Sequence, residues 1–169
     1  MDLDPETNTK LSIKLFTQVK NAKEIKEQLI QGEFKCSMIK PSLILDPFQI
    51  AVAANKALLN EKLTTKTVYT EILFNLSPTK NISKSLQTFG IDEKDDALLV
   101  VTLCKDTENE EADFLKQIDA VEAPIEKLSD YTDINLIKKI YKINDKESSV
   151  TPILDSIVSR IATKDFLSL

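Results

Sequence analysis

The chain contains no histidine and no tryptophan, and it has only two glycines, Gly32 and Gly90, and two cysteines, Cys36 and Cys104. Each shortage removes a class of chemistry. Without histidine there is no Ser-His-Asp or Cys-His pair and no His-bearing zinc site. Two isolated glycines cannot build a glycine-rich phosphate loop. The cysteines lie too far apart in sequence for a CxxC motif, so free thiols in a reducing compartment are expected. Long hydrophobic runs are missing as well. No apolar stretch approaches membrane length, and the opening segment MDLDPETNTK is polar and acidic where a signal peptide would be apolar. A soluble, intracellular protein without contact to membrane is expected.

What is present is enough for a core: 169 residues with 42% hydrophobic side chains, read as one domain over 1–169. The net charge of −5, with a pI near 4.9, gives a field that repels nucleic acid, so any RNA contact has to be local. The charge is uneven along the chain. From Lys56 to Lys84 five lysines stand against Glu61 and Glu71, a balance of +3, while from Asp92 to Asp113 nine acids stand against Lys94 and Lys105, a balance of −7.

The sequence is organised around Leu43 to Ile91. Asp46 is placed to cap a helix, Pro47 suits its first position, and Gln49 sits where a capping box needs a side chain that reaches back. The helix is predicted from Pro47 to about Glu61. At 100° per residue, Gln49, Ala53, Lys56 and Asn60 fall on one narrow polar stripe, and apolar residues cover the rest. The pattern predicts burial on most sides, with Val68–Leu76 (read as a short helix) and Ile82–Phe89 as neighbours. Asn81 is the expected cap of the latter, and Gly90 with Ile91 reads as a Schellman ending against Leu86.

Around this centre, Leu11–Phe16 alternates like a half-buried strand. Asn21 with Glu24 reads as a capping box for a helix burying Ala22, Ile25, Leu29 and Ile30, closed by Gly32. Leu43–Leu45 reads as a short strand or extended lead-in to the central helix. Ala97–Cys104 is continuous, apolar and β-branched, the pattern of a central strand, and Cys104 at its end reads as a buried inert thiol. An acidic helix is expected over about Glu108–Ile118, with Ala112, Leu115 and Ile118 inward. Asp133 is expected to cap a helix with Ile134, Leu136, Ile137 and Ile140. Thr151 is expected to cap a last helix over about Pro152–Asp165, striped by Ile153, Leu154, Ile157, Val158 and Ile161. The fold class that follows is α+β, a single domain with a small, mostly antiparallel sheet packed with several helices.

Catalytic constellations are absent from this reading. Acid pairs such as Asp92-Glu93 and Asp95-Asp96 lie in polar connections and read as solvating charge, no EF-hand or HxxE spacing surrounds Asp155 or Asp165, and no cofactor or metal is implied. A binding or scaffold protein is the class left.

Residue identities sharpen this. Leu45–Ile50 (LDPFQI), Ala53–Ala57 (AANKA), Glu71–Pro78 (EILFNLSP) with Asn81–Ser83, and the ending Ser159–Asp165 (SRIATKD) closely resemble the small kinase-binding subunits of the KEOPS (EKC) complex, the CGI family. Phe89–Ile91 and Lys138–Lys142 are similar to it too, so the resemblance spans nearly the whole chain. It implies a non-catalytic subunit in the nucleus and cytosol. That subunit binds the N-terminal lobe of the atypical kinase/ATPase PRPK and, through it, joins the KEOPS transferase subunit that installs threonylcarbamoyl on tRNA adenosine. Archaeal relatives hold the single-stranded tRNA 3′ CCA tail.

Two sets of site residues follow from the resemblance. For RNA, Lys80 stands where archaeal members often carry an arginine; lysine neutralises phosphate but lacks the planar fork of arginine. Lys56 on the polar stripe and Asn81 at a helix N-terminus would complete a small site, against the plainer readings of a solvated lysine and a simple cap. For the kinase, one edge of the last apolar stripe, around Val158 and Ile161, is expected to be the anchor, unless the whole stripe is core. A stand-alone RNA-binding protein is the competing class, and the acidic charge counts against it.

Overall fold

The computed structural model describes residues 2–4, 8–105 and 113–166. Its centre is an antiparallel five-stranded sheet, made by β1 (Asp2–Asp4), β2 (Thr9–Thr17), β3 (Ser37–Ile39), β4 (Leu98–Lys105) and β5 (Val121–Ala123). The order is β1-β2-β4-β3, with β5 also on the outer edge of β2. β2 and β4 pair along their lengths, Leu15 opposite Leu99 and Ile13 opposite Val101, and Ser37 lies opposite Val101 on the other side. β4 is thus flanked by strands on both edges, as its unbroken apolar run predicts.

The two faces of β4 feed two cores. On one face Leu99 and Val101 join Leu11, Leu15 and Ile39, and on the other Leu98 and Val100 join Phe16 and Met38, because successive side chains of a strand point to opposite faces. Four long helices cover the first face: α2 (Pro47–Leu59), α3 (Val68–Leu76), α5 (Ile134–Tyr141) and α7 (Ile153–Thr163), with Phe89 from α4 (Ile82–Phe89). The second face is covered by α1 (Ala22–Ile30), with Phe34, Cys36 and Ile118, and there the Phe34 and Phe114 rings stack at 5.0 Å. Each such Leu, Ile or Phe taken out of water contributes about 1.5–3 kcal/mol.

The cap residues read from the sequence form their bonds in three places. Asp46 accepts from the Phe48 amide, Asn81 Oδ1 from Lys84, and Asp133 Oδ1 from Leu136. Gly32 is left-handed at φ 79°, ending α1 as expected. Elsewhere the expectations are corrected. Asn21 does not cap with its side chain; it donates to the Gln117 carbonyl and accepts from the Asp119 amide, tying α1 to a segment ninety-odd residues away. Ile30, assigned to the buried stripe of α1, is 75% exposed.

Gly90 is extended at φ −71°, ψ 159°, so there is no Schellman turn. It forms a bridge with Ile39, and an added Cβ would sit 2.5 Å from the Leu86 carbonyl oxygen. Ile91 belongs to the second core. The strand after Phe34 is Ser37–Ile39 and Pro41–Leu43 is a 3-10 turn; of the Leu43–Leu45 segment, Leu43 ends that turn and Ile44 is extended at φ −111°, ψ 115°, so it is an extended lead-in to α2 rather than a strand.

The first part of the acidic stretch read as helix, 108–112, lies outside the described residues. Its end, Asp113–Gln117, is a 3-10 helix. Between α5 and α7 a short α6 (Asp145–Val150) intervenes, and Thr151 closes α6, so α7 begins after Pro152 without a side-chain cap. Cys36 and Cys104 are free thiols; Cys36 is buried, with its thiol pushed up to about 12 by desolvation, and Cys104 is only half-buried.

Candidate functional site

The polar stripe of α2 faces inward. Gln49 is buried, with its amide donating to the Leu43 carbonyl at 3.1 Å and to the Tyr141 hydroxyl oxygen at 3.0 Å, while its Oε1 accepts from Leu45 at 3.0 Å. It therefore reaches back one residue beyond the Asp46 cap and is a core hydrogen-bonding group rather than half of a capping box. Tyr141 passes the chain on by donating to the Leu76 carbonyl, and burial raises its phenol above the ordinary range. These bonds satisfy polar atoms that could not otherwise be buried.

Turning the polar stripe inward turns an apolar one outward. Phe48 and Leu59 are 50% and 59% exposed, and Val52 and Asn55 lie between them at the 4-3-4 spacing of one helix face. α7 packs beside α2 and has the same two-sided character. Ile157 and Ile161 are core, whereas Leu154 and Val158, one turn apart, are half-buried and outside both core clusters. At 1% exposure Ile161 has no surface to offer, so of the two predicted kinase anchors only Val158 remains at the surface.

Lys56 ties this pair of helices together, and Lys164 ties the segment after α7 to α3. Lys56 crosses from α2 to donate to the Ile161 carbonyl at 2.9 Å and to pair with Asp165 at 3.1 Å. It is therefore not the solvated lysine of the plainer reading but is paired within the chain. Lys164, 2% exposed, donates to the Phe74 carbonyl at the end of α3 and stands 3.5 Å from the centroid of the Phe74 ring. Burial, and then repulsion from Lys56, lowers its ammonium to about 7, with Asp165 and Glu71 opposing and Lys80 adding to the fall. Phe166 follows at 86% exposure.

The members of the predicted RNA trio make different contacts, though Lys56 and Lys80 both lie near enough to Lys164 to lower its ammonium. Lys56 belongs to the α2/α7 seam, Asn81 is the cap of α4, and Lys80 is exposed on the turn before it. Phe48, Leu59 and Leu154 were missed as surface residues. The signal was the pair Phe48 and Leu59 in register on one face, opposite Gln49 and Ala53. Glu71, wholly buried, accepts from the Thr64 and Thr65 amides and the Thr65 hydroxyl, and so holds the loop between α2 and α3 against the N-terminal half of α3. Among the described residues no group of three or more His, Cys, Asp or Glu gathers as a metal site, and no helix is long and apolar enough to cross a membrane.

An apolar two-helix face with its seam tied by Lys56 is suited to binding a protein. Comparisons with known proteins agree with that. Residues 16–165 match the family described as kinase binding protein CGI-121. The chain is 41% identical over 155 residues to the EKC/KEOPS complex subunit TPRKB of Danio rerio, covering 89% of each chain. It is 32% identical over 162 residues to the EKC/KEOPS subunit CGI121 of Debaryomyces hansenii (84% and 82% covered), and 30% identical over 175 residues to that of Schizosaccharomyces pombe (98% of each).

Proposed function

Because the chain belongs to the CGI-121 family of kinase-binding proteins, we propose that it is the non-catalytic subunit of an EKC/KEOPS complex whose atypical kinase, PRPK, docks on the outer face of α2 and α7. The observation that carries this reading is the apolar side chains left at the surface of two helices that pack together, Phe48 and Leu59 on α2 and Leu154 and Val158 on α7. Exposed aromatic and aliphatic residues gathered on one rigid face are the usual anchors of a protein interface. The names of the relatives from Danio rerio and the fungi support the complex, and the family description supports the kinase.

In this reading the protein supports threonylcarbamoyl-adenosine formation in tRNA by completing the complex in the nucleus and cytosol, and the transferase subunit performs the chemistry. Contact with the tRNA 3′ end is its second element. It rests on the exposed Lys80 at the turn before α4, acting on phosphate as a point charge. Size-exclusion chromatography with light scattering on an equimolar mixture with the kinase tests the first element: a heterodimer is expected, and separate elution of two folded proteins would refute it. For the second, the Lys80→Glu variant of the assembled complex should bind tRNA more weakly and with a shallower salt dependence. Unchanged affinity and slope would remove Lys80 from the RNA contact.

A further inference from the structure

A cavity of about 430 Å³ opens between the α3–α4 turn, the last turn of α5 and the side of α7. It is separate from the α2/α7 face, and its lining is unusual for a protein of net charge −5. Four cations surround it, Lys84, Lys139, Lys142 and Arg160, and no carboxylate lines it. Arg160 is already committed: both its terminal nitrogens lie 2.8 Å from the Glu147 oxygens, and it also donates to the Lys142 carbonyl at 3.2 Å. That pairing holds the Glu147 carboxyl below its ordinary range. The three lysines differ from their neighbours. Lys138 pairs with Asp145 and Lys56 with Asp165, whereas among the described residues no acid lies within ion-pair distance of Lys84, Lys139 or Lys142. The floor between them is apolar, with Pro78 and Ile140 both partly exposed.

We propose that this cavity docks a short acidic peptide segment of a partner protein, with one aliphatic side chain of the peptide on Pro78 and Ile140 and its flanking carboxylates on Lys84, Lys139 and Lys142. Charge complementarity selects the partner's sign. The apolar floor selects a peptide with an anchor over a string of charges. A nucleic-acid strand fits less well, since single-stranded bases need a ring or a free guanidinium to stack on. The one ring in the lining, Tyr141, is 1% exposed, and the one guanidinium is held by Glu147.

The test is fluorescence anisotropy on the full chain with three labelled probes of equal charge. These are an Asp/Glu peptide with one central Leu, the same peptide with Ser for Leu, and an oligouridylate. The Leu peptide should bind best, and the K139E/K142E variant, with unchanged circular dichroism, should weaken it by about tenfold or more. Lys84→Glu should weaken it as well, and rising salt should do the same in the wild type. Binding of the kinase to K139E/K142E should be unaltered, which separates this site from the α2/α7 face. Equal affinity for the Leu and Ser peptides, tighter binding of the oligouridylate, or indifference of the Leu peptide to K139E/K142E would each overturn the proposal.

Discussion

Replacing Lys164 by Met removes a buried ammonium whose proton affinity the fold has lowered, and the consequence is a change in how stability depends on pH. In the folded chain Lys164 titrates near pH 7, against an ordinary value of 10.5. Between these values the unfolded state holds a proton that the native state has released, so stability rises with pH. Integrating one proton over the interval from pH 6.5 to 8.5 gives a gain of about 2 kcal/mol. Cys36 works in the opposite sense. Its thiol is raised from 9.0 to about 12, so the unfolded state loses that proton first, but below pH 8.5 this subtracts only about 0.2 kcal/mol.

Methionine spans a similar length without charge. Its absolute effect combines relief of desolvation with loss of one of the two bonds to the Phe74 carbonyl, which keeps the Ser77 amide at 3.3 Å, so the slope with pH is the informative quantity. Urea unfolding followed by circular dichroism at pH 6.5, 7.5 and 8.5 measures it. Wild type should gain stability across the series with an unchanged m-value, and K164M should stay flat. A flat wild type, or a K164M variant that keeps the wild-type slope, would refute the assignment.

Ile161→Ala should destabilise the chain by about 2–5 kcal/mol, as a core truncation does, while Val158→Ala, at a half-exposed site outside both clusters, should cost less than about 1 kcal/mol; paired denaturation curves compare them. Gly90→Ala places a Cβ against the Leu86 carbonyl oxygen, a backbone atom that cannot swing aside. It should cost about 1–3 kcal/mol, visible as a lower thermal midpoint, and an unchanged midpoint would show that the end of α4 gives way freely.

The parts of the fold that were legible in the sequence are those whose cause is local. A cap acts within three residues, so Asp46, Asn81 and Asp133 were readable with the helices they start. β4 was readable because a strand buried on both faces must be apolar throughout. The candidate site was less legible because burial there is decided by distant segments. Gln49 looked solvent-facing until Tyr141, ninety-two positions away, supplied its partner. Lys56 looked solvated until the Ile161 carbonyl and Asp165 did the same.

Those two side chains invert the reading of α2. Once its polar stripe is satisfied inside, the apolar residues Phe48 and Leu59 are left outside, and the surface proposed for the partner is the one the helical wheel assigned to the core. α7 shows the same limit at one-residue resolution. Val158 and Ile161 lie on one broad stripe, and only the packing of α2 against one side of it makes Ile161 core and leaves Val158 at the surface.

The most direct test of the docking face is the affinity of the kinase for a chain carrying Leu59→Arg and Val158→Arg together, measured by isothermal titration calorimetry beside wild type. Both side chains are at the surface, so the variant should keep the wild-type thermal midpoint within a few degrees and lose binding by at least about a hundredfold, the effect of removing two interface anchors. A folded double variant that binds the kinase as tightly as wild type would contradict the account and move the kinase to another face of the molecule.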